Sequence, residues 1–400
     1  PSTGEEVDQA IVVAYAAPAT YTGEPLVELT THGGVAAPAA VLAALVAAGA
    51  REALPGEFTR RAVLAGKLDL LQAEAVADLV DAQSGAMRRA ALAQLEGGLS
   101  RRVLALRDAV LDVEALIAYD IDFPEEDDGP VARERVTAAC GRALAGIDGL
   151  LATADAGEAT RAGALVVIAG PPNAGKSSLF NALLGRQRAL VTPIPGTTRD
   201  AIEATLDVGA WPVRLVDTAG LRETEDVVER LGIEVSERYL AAAALVLACG
   251  ETPADVARTV AAVGSGATVV PVLTKRDALP ARGAPPRDQD GANSADDHHH
   301  LHSPSVVHVS AERGDGLGEL VARLERELAA LLGGASGEDT PLVTRARHRR
   351  ALEEAREELG AFLAVWEEDV LPAPVAAVHL RAAAHALEAL VGVVDVEDVL

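Results

Sequence analysis

LVVIAGPPNAGKSS, residues 165–178, is the stretch whose reading decides the fold. Its second part, Gly170 to Ser178, fits the spacing Gly, four residues, Gly-Lys-Ser. The apolar run before it reads as a buried strand, and SLFNALLG after it reads as a helix. In that context the glycines let the backbone fold into a nest of N–H groups facing the positive end of the helix dipole. Lys176 then reaches the β- and γ-phosphates of a nucleotide, and the Ser177 hydroxyl sits on Mg²⁺. A plain Gly-rich turn is the competing reading, and the strand before and helix after set it aside.

Working outward, DTAG (Asp217 to Gly220) follows the apolar run VRLV. Asp217 is therefore expected at a strand end, holding Mg²⁺ through water, with the Gly220 N–H offered to the γ-phosphate. PGTTRD (Pro195 to Asp200) falls between the first helix and the next expected strand, and Thr198 is the candidate second Mg²⁺ ligand. TKRD (Thr274 to Asp277) follows another apolar run. Asp277 can accept two hydrogen bonds from a guanine edge, which adenine cannot supply, and leaving them unmade is costly. Ser310 and Ala311 complete the base pocket. The expected GTP-binding set is Asn173, Ala174, Gly175, Lys176, Ser177, Ser178, Thr192, Thr197, Thr198, Asp217, Thr218, Ala219, Gly220, Thr274, Lys275, Asp277, Ser310 and Ala311. Each motif is weak alone, but in this order on strand ends they imply a guanine-nucleotide hydrolase.

The rest of the chain frames this centre. Of 400 residues, 49% are hydrophobic but only 2% aromatic, so cores must be built from Ala, Leu and Val, which favours close-packed helices. Formal charge is 35 − 60 = −25, which opposes nucleic-acid binding over a broad surface. RNA contact is then local or supplied by a partner, and the compact basic run RARHRR (Arg345 to Arg350) reads as a helix face or such a local contact. Cys140 and Cys249 have no metal-ligand spacing and read as buried free thiols. With no membrane span and no signal peptide, the chain reads as cytoplasmic.

Ile11 to Tyr15 and Pro25 to Thr31 read as strands, with TYTGEP between them as a turn and Ala36 to Ala48 as a helix stopped by Gly49. His32 reads as a hydrogen-bonded loop histidine. Pro55 to Ala82 opens a long helical region. Leu92, Leu95, Leu99, Val103, Leu106, Val110, Val113 and Ile117 then form a narrow helix-packing stripe. DIDFPEEDDGP (Asp120 to Pro130) reads as a solvated acidic turn, Ala132 to Asp155 as a helix and Gly157 to Gly163 as a linker. Val213–Val216, Leu245–Ala248, Val269–Leu273 and Val306–Val309 are expected strands, alternating with helices as in a mostly parallel sheet. Residues 281–304, with His298, His299, His300 and His302, read as a mobile surface insertion. The expected organisation is an incomplete N-terminal α+β domain (1–54), a first helical half (55–162), a nucleotide-binding α/β domain (163–333) and a second helical half (334–400).

Against these motifs the chain resembles the MnmE/TrmE family of tRNA-modification GTPases acting at the wobble uridine. The resemblance rests on YTGE, GEFT-RA-GKLDL-QAEAVADL-DA, IDFPEED, NAGKSSL, GTTRD and DTAGLRET…VERLGIE, and covers nearly the whole sequence. It implies a multidomain α/β plus α fold: a folate-binding-like N-terminal domain, a helical domain and an inserted P-loop GTPase domain. It implies homodimerisation, a flavoprotein partner of the MnmG/GidA type and a tetrahydrofolate derivative as one-carbon source. Leu221 follows DTAG where many GTPases carry a glutamine. The resemblance implies K⁺ in place of an arginine finger, with ligands matching Asn173, Thr192, Ile194 (through its carbonyl) and Thr197. It assigns water activation to Glu229, so the catalytic set becomes Glu229, Lys176 and Gly220, with Arg222 helping to position the loop. Glu28 and Lys67 match folate-binding positions, a carboxylate for pterin N–H donors and a lysine for an acidic portion of the cofactor.

The family also implies a segment before residue 1 and a Cys-containing motif after Leu400. Pro193 and Pro195 stiffen the GTTRD loop, and Thr274 stands where the guanine motif usually begins with Asn, leaving Asp277 to carry most of the discrimination. A GTP-binding switch in ribosome assembly is the alternative reading, as is a truncated relative that retains only GTP binding and hydrolysis.

Overall fold

A computed structural model describes residues 6–122, 132–187, 202–218, 238–263, 267–278, 306–332, 342–368 and 373–392. The chain divides into two compact units. One comprises residues 1–80, 91–151 and 347–400; the other comprises residues 81–90 and 152–346.

The first unit begins with an antiparallel ribbon, β1 (Ile11–Tyr15) and β2 (Leu26–Thr30), in the register Ile11↔Thr30 to Tyr15↔Leu26. His32, just past the ribbon, bonds through Nδ1 to Asp8 Oδ1 at 2.7 Å, and its backbone N–H donates to Asp8 Oδ2 at 2.9 Å. It is the hydrogen-bonded loop histidine expected of it. The helix α1 (Ala36–Ala47) follows and ends before Gly49, whose φ is 105°.

The helical region expected from residue 55 opens with two helices, α2 (Glu57–Leu64) and α3 (Leu70–Asp81). Gly66, at φ 66°, adopts the left-handed conformation that ends the first. The apolar stripe is likewise shared by α4 (Gly85–Leu95) and α5 (Gly98–Asp122). Gly97, at φ 80°, breaks the helix while the spacing carries on. Leu99, Val103, Leu106, Val110, Val113 and Ile117 are all buried. They meet Val136, Cys140, Ala143, Ile147 and Leu150 of α6 (Arg133–Leu151), completed by the helices α11 (Ala346–Glu368) and α12 (Ala373–Val391). Close approach explains the small residues: a Cβ on Gly146 would lie 2.5 Å from Leu106 Cδ2. Each Leu buried in this way contributes about 2 kcal/mol.

A polar knot fastens α11 to α3 and α12. The Glu74 carboxylate on α3 receives His348 Nε2 at 2.6 Å and Arg347 Nε at 3.1 Å. Arg347 also donates to the carbonyls of Ala389 and Leu390, at the last turn of α12. Two side chains of the basic run at 345–350 are thereby absorbed; His348 is fully buried, Arg345, Arg347 and Arg349 are half-buried, and Arg350 is exposed.

In the second unit, residues 157–163 are not a linker. They belong to α7 (Ala154–Ala162) and the glycine ending it, and Gly157 is required by packing, since a Cβ there would lie 2.2 Å from the Val343 carbonyl oxygen. A sheet of six strands has the order β4-β5-β3-β6-β7-β8. These are β3 (Ala164–Ala169), β4 (Ile202–Val208), β5 (Trp211–Asp217), β6 (Leu245–Gly250), β7 (Thr268–Leu273) and β8 (Val307–His308). All neighbours run parallel except the β4–β5 pair. The edge strand β4 is not among the expected strands, although IEATLDV alternates apolar and polar residues throughout. The helices α8 (Lys176–Gln187), α9 (Pro253–Val263) and α10 (Leu317–Leu332) complete the unit. Leu179 and Leu183 of α8 and Leu320, Leu324 and Leu328 of α10 fill one core, while Val167, Val216, Ala243 and Val246 form a second.

Burial pushes the Glu74 carboxyl up, but the bonds from His348 and Arg347 outweigh it and hold its pKa at about 2 instead of 4.5. A depressed carboxylate contributes stability above its unfolded pKa and loses it as pH falls through the folded value. The helical unit is therefore expected to weaken as pH drops from about 4.5 towards 2. Glu74→Ala is expected to cost about 3 kcal/mol by leaving His348 buried without its partner. Urea unfolding followed by Trp366 fluorescence in a Trp211→Phe background reads both effects.

Candidate functional site

The parallel strands β3, β5, β6, β7 and β8 end on the same edge of the sheet, where open α/β sheets bind ligands. Residues 170–175 leave β3 there, and α8 starts at Lys176. The loop passes close against β6: a Cβ on Gly170 would lie 2.4 Å from the Cys249 carbonyl oxygen, so no other residue fits without displacing backbone. Asn173 and Gly175 take left-handed conformations, at φ 63° and 74°, which shape the concave turn. Ala174 is buried, whereas Asn173, Ser177 and Ser178 are exposed at the mouth. Lys176 is buried and curls over the loop, its Nζ donating to the carbonyls of Gly170 at 3.0 Å and Pro171 at 2.9 Å.

The other predicted residues converge on this edge. Asp217, fully buried, ends β5, and Thr218 after it donates from Oγ1 to the Ile168 carbonyl at 2.8 Å, fastening the β5 end to β3. Thr274 is buried after β7, and its Oγ1 lies 2.8 Å from the Ala174 carbonyl and 3.1 Å from the Gly250 carbonyl. This threonine ties the phosphate loop to the strands beside it, a structural task its sequence position does not reveal. Lys275, at φ 56°, runs past Gly175 and pairs with Glu251. Gly250 and Glu251 are not among the predicted residues; the sharp end of LVLACGE is the available signal.

Asp277 stands in the short turn Arg276–Ala278, where the Ser310 hydroxyl donates to its Oδ1 at 2.6 Å. Ser310 Oγ in turn accepts from the Arg313 backbone N–H at 3.2 Å. The bond from Ser310 is the main cause holding the Asp277 carboxyl below its ordinary value, so it is ionised at neutral pH. A fixed, charged carboxylate of this kind suits the two adjacent N–H donors of a guanine edge. Ala311 follows Ser310 and is half-buried. Burial pushes the Cys249 thiol, beneath the loop, and the Cys140 thiol up to about 12 each; both are free and buried.

The arrangement fits a Mg²⁺-nucleotide: a glycine-shaped cradle, a lysine folded over it, the exposed Ser177 hydroxyl at a helix start and a buried carboxylate at the next strand end. Thr192, Ile194, Thr197, Thr198, Ala219, Gly220, Leu221, Arg222, Glu229 and the 281–304 insertion lie outside the described residues. Asn173 is therefore the one proposed K⁺ ligand among the described residues, exposed in its left-handed turn.

Residues 70–400 match the family model described as the MnmE helical domain, and residues 1–67 match the GTP-binding protein TrmE N-terminus. The tRNA modification GTPase MnmE of Moorella thermoacetica is 42% identical over 405 residues, covering 100% of this chain and 85% of that protein. The chain belongs to the MnmE family of tRNA modification GTPases. The family's proteins of Thermus thermophilus and Aquifex aeolicus are 43% and 39% identical, over 408 and 402 residues. Those alignments cover 100% and 99% of this chain and 84% and 85% of those proteins.

Glu28 and Lys67, the expected folate positions, lie in the other unit. Glu28, on β2, accepts from the Tyr15 hydroxyl at 3.4 Å. Lys67 is exposed, its stem beside Gly23 in the turn between β1 and β2. Among the described residues no helix is long and apolar enough to cross a membrane.

Thr274→Val keeps the shape of the side chain and removes its hydroxyl. Nucleotide affinity is expected to fall about tenfold, one hydrogen bond's worth, with the fold intact, while Thr274→Ser retains wild-type affinity. Titration with a fluorescent guanine nucleotide measures both; equal affinity in the valine variant would show that the tie is dispensable.

Proposed function

We propose that this chain is a K⁺-stimulated GTP hydrolase whose cycle drives addition of an aminomethyl-type group to the wobble uridine of tRNA. The observation that carries the reading is near-complete alignment with tRNA modification GTPases, in a chain that gathers Lys176, Asp217, Thr274 and Asp277 on one sheet edge. Mg²⁺ is held by Ser177, Thr198 and Asp217, and K⁺ by Asn173, Thr192, Thr197 and the Ile194 carbonyl. K⁺ supplies the positive charge that an arginine finger gives elsewhere. Glu229 orients the attacking water, and Gly220 and Lys176 stabilise charge on the transferred phosphoryl group.

The remaining parts follow the family. Residues 1–54 form the folate-binding and dimerisation domain, with Glu28 and Lys67 on a tetrahydrofolate derivative. Residues 55–162 and 334–400 are the helical halves around the GTPase domain, 163–333. The protein works in the cytoplasm as a homodimer with a flavoprotein of the MnmG/GidA type. Structural use of His348 and Arg347 supports placing the tRNA contact elsewhere than the 345–350 run, or on the partner.

GTP turnover is expected to be faster in K⁺ than in Na⁺, and Asn173→Ala is expected to erase the difference while retaining nucleotide binding. Equal wild-type rates in the two salts would remove K⁺ from the mechanism. Glu229→Ala is expected to bind GTP normally and lose most turnover, read by phosphate release; a near-normal rate would make Glu229 an ordinary surface charge.

A further inference from the structure

Lys275 and Glu251 meet beside the phosphate loop, each on backbone that is fixed from both sides. Before Lys275, the Thr274 N–H donates to the Gly250 carbonyl at 2.9 Å, and after it the Arg276 N–H donates to the Val309 carbonyl at 3.2 Å. Between these bonds Lys275 takes φ 56°, a left-handed conformation that is costly for a residue with a side chain. Glu251 follows Gly250, which packs so tightly that a Cβ there would lie 2.7 Å from the Val256 backbone nitrogen. It precedes Thr252, whose hydroxyl donates to Asp255 Oδ2 at 2.8 Å and accepts from the Asp255 N–H at 3.2 Å, capping the start of α9. The Glu251 carboxylate is thus presented from a rigid corner, and it pairs with the Lys275 ammonium. The lysine Cε lies 3.9 Å from where a Gly175 Cβ would stand, so its stem runs beside the phosphate loop.

Lys275 therefore stands between the two ends of the site: its stem is beside Gly175 of the cradle, and Asp277, the carboxylate suited to the base, is two residues on. Left-handed conformations of residues other than glycine persist where the surrounding structure over-determines them, and they cluster at ligand clamps. We propose that Glu251 is a positioning residue for the nucleotide, holding the Lys275 ammonium so that the lysine stem forms a wall for the nucleoside between cradle and base pocket. The inference rests on reading that edge as the guanine-nucleotide site. Charge gives a second reason for the pair. A lone carboxylate beside a bound polyphosphate opposes it, whereas Glu251 neutralised by Lys275 does not. Each side chain is 44% exposed, so the pair itself is weak, and its effect lies in removing the freedom of a four-carbon stem.

The test is a double-mutant cycle on GDP affinity in the full chain, using Glu251→Gln and Lys275→Met, the second of which keeps the stem and removes the ammonium. Glu251→Gln is expected to weaken GDP binding about threefold, mainly through faster dissociation. In the Lys275→Met background the same change is expected to have no effect or to strengthen binding, because there the carboxylate has no counter-charge to hold and only repels the phosphates. Inorganic pyrophosphate, which has no nucleoside, is expected to bind the Glu251→Gln variant no more weakly than wild type, whereas a general loosening of the loop would weaken both ligands. An equal loss of GDP affinity in the two backgrounds makes Glu251 an ordinary surface charge and overturns the proposal. So does wild-type GDP affinity in the Glu251→Gln variant, or pyrophosphate weakened in step with GDP. Failure of wild-type protein to bind GDP at all overturns the guanine-nucleotide reading itself.

Discussion

Two carbonyl oxygens and one hydroxyl hold the nucleotide edge together. Thr274 Oγ1 reaches both the Ala174 carbonyl of the phosphate loop and the Gly250 carbonyl at the end of β6. Without that tie the loop keeps the side-chain bonds of its own Lys176, to the Gly170 and Pro171 carbonyls. With it, three consecutive parts of the sheet edge share one buried polar contact, in a setting where an unmade hydrogen bond is costly. The left-handed turns at Asn173 and Gly175 are then sustained, because the surrounding structure over-determines them. The position of Asp277 follows from the same turn, three residues beyond Thr274, and Ser310 fixes its charge.

The helical unit depends on contacts of another kind. It has few aromatic residues to fill space, so Leu, Val and Ala interdigitate and glycines let helices approach, as Gly146 does for Leu106. Several of its polar contacts tie one helix to the start or last turn of another: Glu74 with His348 and Arg347, and the paired glutamines of α3 and α4. Apolar packing of this kind is tolerant of sliding, and these polar bonds give it a unique register. The arginines that composition offers as a nucleic-acid patch are instead used partly for this register.

Much of the nucleotide site is legible because its chemistry is local. Glycines, a lysine and a serine at fixed spacing dictate a loop, and the apolar runs before DTAG and TKRD place Asp217 and Asp277 at strand ends. The errors lie where a residue answers to a distant neighbour. Gly157 has the look of a linker glycine, yet it is in a helix and small because the Val343 carbonyl passes over it. Gly97 interrupts a stripe whose apolar spacing runs on unbroken, so periodicity alone joins what the backbone separates. IEATLDV carries a strand's alternation but is overshadowed by the motif just before it. Thr274 reads in sequence only as a departure from a motif, since the loop it grips is 100 residues away.

That passage of chain past Gly157 also bears on how the protein is threaded. The Val343 N–H donates to Thr153 Oγ1 at 3.1 Å, so the points where the polypeptide departs towards the sheet and returns from it are a single hydrogen bond apart. The polypeptide between them, residues 154–342, leaves and returns through a neck of two adjacent segments. Apart from residues 81–90, the second unit is thus a loop closed at its own base. A shortened gene that joins the chain directly across that neck would have to bridge only the span of one hydrogen-bonded pair of segments.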